Sequence, residues 1–203
     1  MDFKNVEKVK VTKGLDFLLL PRPTVLVTCL DDEGKPNIIT VAWASPVSHQ
    51  PLVVAIAISP KRYSHNLIDR RREFVVNLPD ISLAKMSNWC GRKSGRKFDK
   101  FAEAGWTAVP GNTIKTHHIE ECYAYLECKV TQQVVSGDHT TFFGEVVDAY
   151  AAKDTVLKVK QGGPPPYYFD PKKIKTLQHL GGDLYLTQEE NYVEFEVTGV
   201  IDV

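Results

Sequence analysis

The sequence predicts a mainly β fold, a β-barrel with inserted helices, and three observations carry that expectation. Short runs of β-branched and aromatic residues recur along the chain. Clusters of Asp, Gly and Pro punctuate them. The helical stretches are few and are inserted between strands, a pattern that a mostly antiparallel sheet accommodates. A closed or half-closed barrel is the expected solution, because closure removes exposed sheet edges. With 203 residues, no internal repeat and no long linker, the chain is read as a single domain, 1–203.

The elements follow in order. "TVLVTCL" (Thr24–Leu30) and "NIITVAWAS" (Asn37–Ser45) flank the turn "DDEGKP" and predict a hairpin. "PLVVAIAI" (Pro51–Ile58) is almost continuously apolar and predicts a strand buried on both faces. Ser64 is expected to N-cap a helix over "HNLIDRR", and "EFVVNLP" reads as a strand stopped by Pro79. Helices are expected over Ile81–Gly91 and Lys97–Gly105, the second C-capped by Gly105. Strands then return over Cys122–Gly137, Thr140–Ala151 and "NYVEFEVTGVIDV", with the proline-rich loop Gln161–Pro171 before the last.

Composition narrows the function. Lys plus Arg and Asp plus Glu both number 25, so net charge is zero, which argues against bulk binding of nucleic acid. The four cysteines show no CxxC spacing and read as buried or free thiols of a reducing compartment. The charged N-terminus lacks the apolar segment of a signal peptide, and no apolar run approaches the roughly 20 residues that span a bilayer. The expectation is a cytoplasmic protein with no membrane partner.

Several stretches could carry chemistry. In "NIITVAWAS" one face holds Ile39, Val41 and Trp43, the other Ile38, Thr40, Ala42 and Ala44. Small side chains let a flat ligand approach the backbone, though tight packing against a helix also favours them. "SPKRYSHNLI" (Ser59–Ile68) combines a helix start with Lys61, Arg62 and a hydroxyl, the parts of an anion site; a capped helix beside solvated bases has the same parts. "GRKSGRKFDK" (Gly91–Lys100) is basic but is no Walker A loop, since three residues rather than four separate its glycines. It reads as a lid over a phosphate or as a solvated loop. His139 follows a Gly-Asp turn at the head of a strand, and "HHIEEC" lacks the second ligand pair that a metal site needs, so no metal is expected. There is no Gly-x-Ser-x-Gly elbow.

Taken in order from "PRPTVLVTCLDDEGKPNIITVAWASPVSHQPLVVAIAISPKRYSHNLI" through "EFVVNLP", "FDKF" and "GDHTTFFGEV" to "LGGDLY", the chain resembles the flavin reductase-like family, specifically its flavoredoxin-type members. The resemblance covers about Leu18 to Tyr185. It implies an FMN-binding split β-barrel of Greek-key type that pairs as a homodimer with the flavin near the interface. It also implies that Asn37 and Trp43 line the flavin and that Ser64 keeps a hydroxyl where the family usually has threonine. Lys100 would lie near the cofactor, His139 beside the isoalloxazine as the candidate catalytic residue, and Phe169 would cover the ring. Lys61 and Arg62, with Ser59 and Ser64 in the same turn, would clamp the phosphate, while backbone groups of Thr40, Ala44 and Ser45 read the ring's polar edge. The implied function is an oxidoreductase that passes electrons from NADH or NADPH through FMN to free flavin or a protein acceptor. The alternative is an FMN electron-transfer module between redox proteins with no NAD(P)H reductase activity of its own.

Overall fold

A computed structural model describes residues 3–158 and 167–188. The chain begins with a 3-10 turn over Leu15–Leu19 and a two-residue strand β1 (Arg22–Pro23). Then come β2 (Val25–Leu30), β3 (Pro36–Val41), β4 (Ala44–His49) and β5 (Leu52–Ile58). Helix α1 (Tyr63–Arg71) precedes β6 (Glu73–Leu78), followed by α2 (Ala84–Arg92) and α3 (Lys100–Ala104). Two short strands, β7 (Ala108–Pro110) and β8 (His117–Ile119), lead into the long hairpin of β9 (Ala124–Ser136) and β10 (His139–Ala151). Four more short strands follow: β11 (Val156–Lys158), β12 (Tyr167–Phe169), β13 (Gln178–Gly181) and β14 (Leu184–Leu186).

Seven of these strands form one antiparallel sheet in the order β3-β2-β6-β9-β10-β5-β4. Its two edge strands, β3 and β4, are consecutive in the chain and separated only by Ala42 and Trp43. The sheet must therefore wrap until its edges meet. No ladder joins them among the described residues; the Trp43 carbonyl accepts instead from Ala57 N–H of β5, at 2.9 Å. This is a split barrel, the half-closed form of the expected architecture.

The interior is filled from alternate positions of β2, β3, β5, β6, β9 and β10. Val27, Ile39, Ile56, Phe74, Val76 and Phe142 are among the buried residues that pack there. Gly144 makes the fit possible: a Cβ at that position would lie 2.5 Å from Phe74 Cζ. A second apolar cluster, Leu26, Ile38, Cys90, Phe101 and Ile119, fastens helices α2 and α3 to the outer face of the sheet. Two polar residues with no exposed surface staple loops to this frame. Asn77 donates to the Leu26 carbonyl at 2.9 Å and accepts from Ile119 N–H at 2.8 Å. The Glu127 carboxylate accepts from the backbone N–H groups of Asn112, Thr113 and Ile114 at 2.7, 2.8 and 3.0 Å.

Several expectations need correction. The predicted strand Asn37–Ser45 breaks at Ala42–Trp43. Unbroken alternation would aim Trp43 into the interior beside Ile39 and Val41; the break turns it outward, 42% exposed. The apolar run Pro51–Ile58 is not buried on both faces. Val54, Ile56 and Ile58 point inward, while Val53, Ala55 and Ala57 stay half-exposed. Ser64 is not the N-cap of α1. That place belongs to Arg62, whose side chain caps nothing, and Ser64 is the helix's second residue, buried with Leu67 and Ile68. The helix predicted over Lys97–Gly105 forms only from Lys100, where the Asp99 side chain accepts from Ala102 N–H at 3.1 Å, and it ends as expected at Gly105, with φ 67°. The first turn predicted over Ile81–Gly91 is 3-10 up to Leu83. The strand read at Asn191–Val203 and most of the proline-rich loop lie outside the described residues.

Candidate functional site

The break between β3 and β4 creates a trench. Its floor is made of two small residues, Ala42 of the break itself and Ala57 of β5, and Trp43 and His139 stand at one side. The two rings face each other at 4.6 Å, and His139 Nδ1 lies 2.7 Å from a carboxylate oxygen of Asp138. The Arg22 guanidinium sits 5.7 Å from the Trp43 ring on another flank. Thr40 lines the trench as well, but its hydroxyl is already committed to the Ser87 carbonyl of α2. Gly91 lets that helix close in, since a Cβ there would lie 3.2 Å from Thr40 Cβ. The groove continues past Ala44, Ser45 and Ala55, where its wall is apolar.

At the other end the trench deepens into a cationic pocket. Lys61, Arg62 and Ser64 reach it from the turn after β5 and the start of α1, Arg92 and Lys93 from the end of α2, and Lys100 from α3. No carboxylate lines it. Among the described residues Lys61, Arg62 and Lys93 make no ion pair, whereas Arg92 is held by Asp183 at 2.5 Å. Ile39 and Arg62 line both pocket and trench, so the two are continuous. Unneutralised cations around a concave surface, at the start of a nine-residue helix, are chemistry for an anion such as a phosphate.

Lys100 is the buried member of this set, 4% exposed. Its ammonium donates to the Ile38 carbonyl at 2.7 Å and the Cys90 carbonyl at 2.6 Å, which ties β3 to α2. Burial pushes its pKa down to about 8. Burial also pushes the thiols of Cys29 and Cys90 up to about 11, so neither is a thiolate at neutral pH.

Most of the residues singled out in the sequence therefore converge. Thr40, Trp43, Ser59, Lys61, Arg62 and His139 line the trench or its pocket, as do Ser64 and Lys100; Ala44 and Ser45 line its apolar extension. Two do not. Asn37 is buried beneath the pocket without lining it. Phe169 packs edge-on against Tyr123 at 5.0 Å and lines no part of the trench within this chain. Sequence reasoning missed Arg22, Arg92, His179 and Tyr185, the last three of which line a side lobe with Arg62. Arg92 belonged to the basic stretch and Tyr185 to "LGGDLY", so both carried a signal. Among the described residues no cluster of His, Cys, Asp or Glu could hold a metal ion, and no helix is long and apolar enough to cross a membrane.

Comparison with known proteins adds four likenesses. A family model described as "Flavin reductase like domain" matches residues 17–178. An uncharacterised protein of Archaeoglobus fulgidus is 38% identical over 138 residues, 68% of this chain and 76% of its own. Among solved structures, flavoredoxin from Methanosarcina acetivorans superposes with TM-score 0.80 at 26% identity, covering 95% of this chain and 96% of that one. Flavoredoxin of Desulfovibrio vulgaris (Miyazaki F) gives TM-score 0.79 at 26% identity, covering 93% and 98%.

Proposed function

The chain belongs to the flavin reductase-like family, and from that premise we propose that it is an FMN-dependent oxidoreductase that draws electrons from NADH or NADPH. The observation that carries the reading is the join between a carboxylate-free cationic pocket and a trench floored by alanines. The first suits a phosphate and the second a flat ring, and FMN has both. When bound, FMN supplies the redox chemistry, accepting a hydride from the nicotinamide and passing electrons on to free flavin or a protein acceptor.

The residues of the chain bind and orient. Lys61 and Arg62 hold the phosphate by charge-assisted hydrogen bonds, with Ser64 adding a hydroxyl donor and Lys100 a buried charge. Ala42 and Ala57 let the ring approach the backbone closely enough for main-chain groups near Thr40 to read its edge. Trp43 limits water on one side of the ring, and His139, oriented by Asp138, offers a hydrogen-bonding imidazole at that wall. We also propose a homodimer that works in the cytoplasm. Exposed Leu15, Phe17, Leu18 and Leu19, next to an apolar groove lined by Leu19, Trp43 and Ala55, support pairing with a second copy.

A second reading has its own support. The exposed cations Lys61, Arg62 and Lys93 at the pocket rim would suit an acidic redox protein, which fits an electron-transfer module without NAD(P)H activity. One experiment separates the readings. The purified protein is loaded with FMN and its absorption spectrum followed anaerobically as NADH, then NADPH, is added. Bleaching of the flavin bands supports the oxidoreductase. Bands that bleach only with a reduced protein carrier support the module, and a protein that takes up no FMN overturns both.

A further inference from the structure

Asn37 is 6% exposed and stands under the cationic pocket without entering its lining. Its Nδ2 donates to Ser64 Oγ at 2.8 Å and makes a longer contact of 3.7 Å with Cys29 Sγ. Its Oδ1 is buried with no hydrogen-bond partner. Directly above that oxygen lies Gly95 of the basic loop, which does line the pocket. A Cβ at Gly95 would come within 1.9 Å of Asn37 Oδ1 and 3.3 Å of Tyr63 Cδ1, so the loop seats on the carboxamide itself.

We infer that Asn37 is a positioning residue rather than a cofactor contact: its carboxamide orients the Ser64 hydroxyl toward a bound phosphate and seats the basic loop at Gly95. The inference rests on the phosphate site proposed above. A serine hydroxyl has one proton and two lone pairs. Because Asn37 fills a lone pair, the Ser64 proton is left for donation. Inside the protein it can turn to the Cys29 sulfur, which also takes hydrogen bonds from Asn37 and Ser64. A neutral sulfur is a weak acceptor and a phosphate oxygen a strong one. The arrival of the anion therefore decides the rotor, and Asn37 keeps the hydroxyl from spending its proton elsewhere. Removing the carboxamide frees the hydroxyl and takes away the floor on which Gly95 rests.

The test is a double-mutant cycle on cofactor affinity, read with two ligands that differ only in the phosphate. Dissociation constants for FMN and riboflavin are measured by fluorescence titration for wild type, Ser64→Ala, Asn37→Ala and the double variant. Each single variant is expected to weaken FMN about tenfold or more, the scale of one lost hydrogen bond to a charged group. The double variant should be no weaker than the worse single, and riboflavin should be unaffected throughout. Losses that multiply in the double variant overturn the inference, because they make the two residues independent. So does weaker riboflavin binding by Asn37→Ala, which would make Asn37 a ring contact, or a lowered Tm with unchanged FMN affinity, which would make it purely structural. If Asn37→Ala does not fold, Gly95→Ala replaces it. Because it displaces the loop as well as the carboxamide, it should weaken FMN in both backgrounds but more in the Ser64 background than in the Ser64→Ala background; an equal loss in both overturns the inference. A wild-type protein that binds riboflavin and FMN alike would instead overturn the phosphate site itself, and the inference with it.

Discussion

Two regions of this molecule gather donors around a place for negative charge, and they are finished differently. At Asn112–Ile114 three backbone N–H groups converge on the fully buried carboxylate of Glu127. The chain supplies the anion as well as its cradle. At Ser59–Ser64 and the end of α2, lysines and arginines converge on a concavity to which the chain contributes no carboxylate. Buried donors satisfied from within are architecture, whereas cations left unpaired around a cavity are recognition. The first region closes a loop over the barrel. The second leaves work for a ligand.

The largest expected effect falls on the closed region. Replacing Glu127 by alanine strands three loop N–H groups, and breaking a buried charged network of this kind costs about 3 kcal/mol or more. Urea denaturation should show that loss, while any protein that still folds should keep its FMN affinity. An equal loss of affinity would mean that the two regions are coupled. Next comes Arg62, which lines the pocket, the trench and the side lobe together. Arg62→Ala should weaken FMN by about 2 kcal/mol, the worth of a charge-assisted bond, with little change in stability. Titration calorimetry measures the first, and an unchanged dissociation constant would take Arg62 out of the clamp.

Lys100 belongs to both regions in character, since it is a buried structural tie and a cation of the pocket. Its pKa, held near 8 mainly by burial, lies below its ordinary 10.5. Between those values the unfolded chain binds the proton that the folded chain has released, so stability should rise as pH rises through the window. FMN affinity should fall over the same window as the pocket loses a charge, while riboflavin affinity stays level. Parallel trends in FMN affinity and stability would break the assignment. The smallest effect is expected at the trench wall, where Trp43→Ala should shift the absorption bands of bound flavin with little change in affinity. An identical spectrum would put the indole out of reach of the ring.

Much of this was legible in the chain, and residues show where legibility stopped. The cationic turn around Lys61 and Arg62 could be read because its charges and the helix start after it are adjacent in the chain. His139 could be placed at a strand head for the same reason of local sequence. The break at Ala42–Trp43 could not, because nothing local distinguishes a continuous strand from one that must leap between two edges of a wrapped sheet. The half-exposed face of β5 was hidden for a related reason. Alanines at 55 and 57 look buried in sequence, yet both stay half-exposed and line the trench or its apolar extension. The family resemblance makes Asn37 a ligand contact, and only its distances to Ser64 and Gly95 show it underneath the site.

By itself the sequence determined the β-rich architecture and the set of cations, because periodicity and charge are local properties, while its resemblance to the flavin reductase-like family picked out most of the trench residues. Tertiary structure alone decided that β3 and β4 would be opposite edges, that Arg92, Lys100 and Ser64 would share one pocket, and that Glu127 would neutralise a loop from within. Those are contacts between residues far apart in sequence, and their energies depend on burial, which exists only once the barrel has closed.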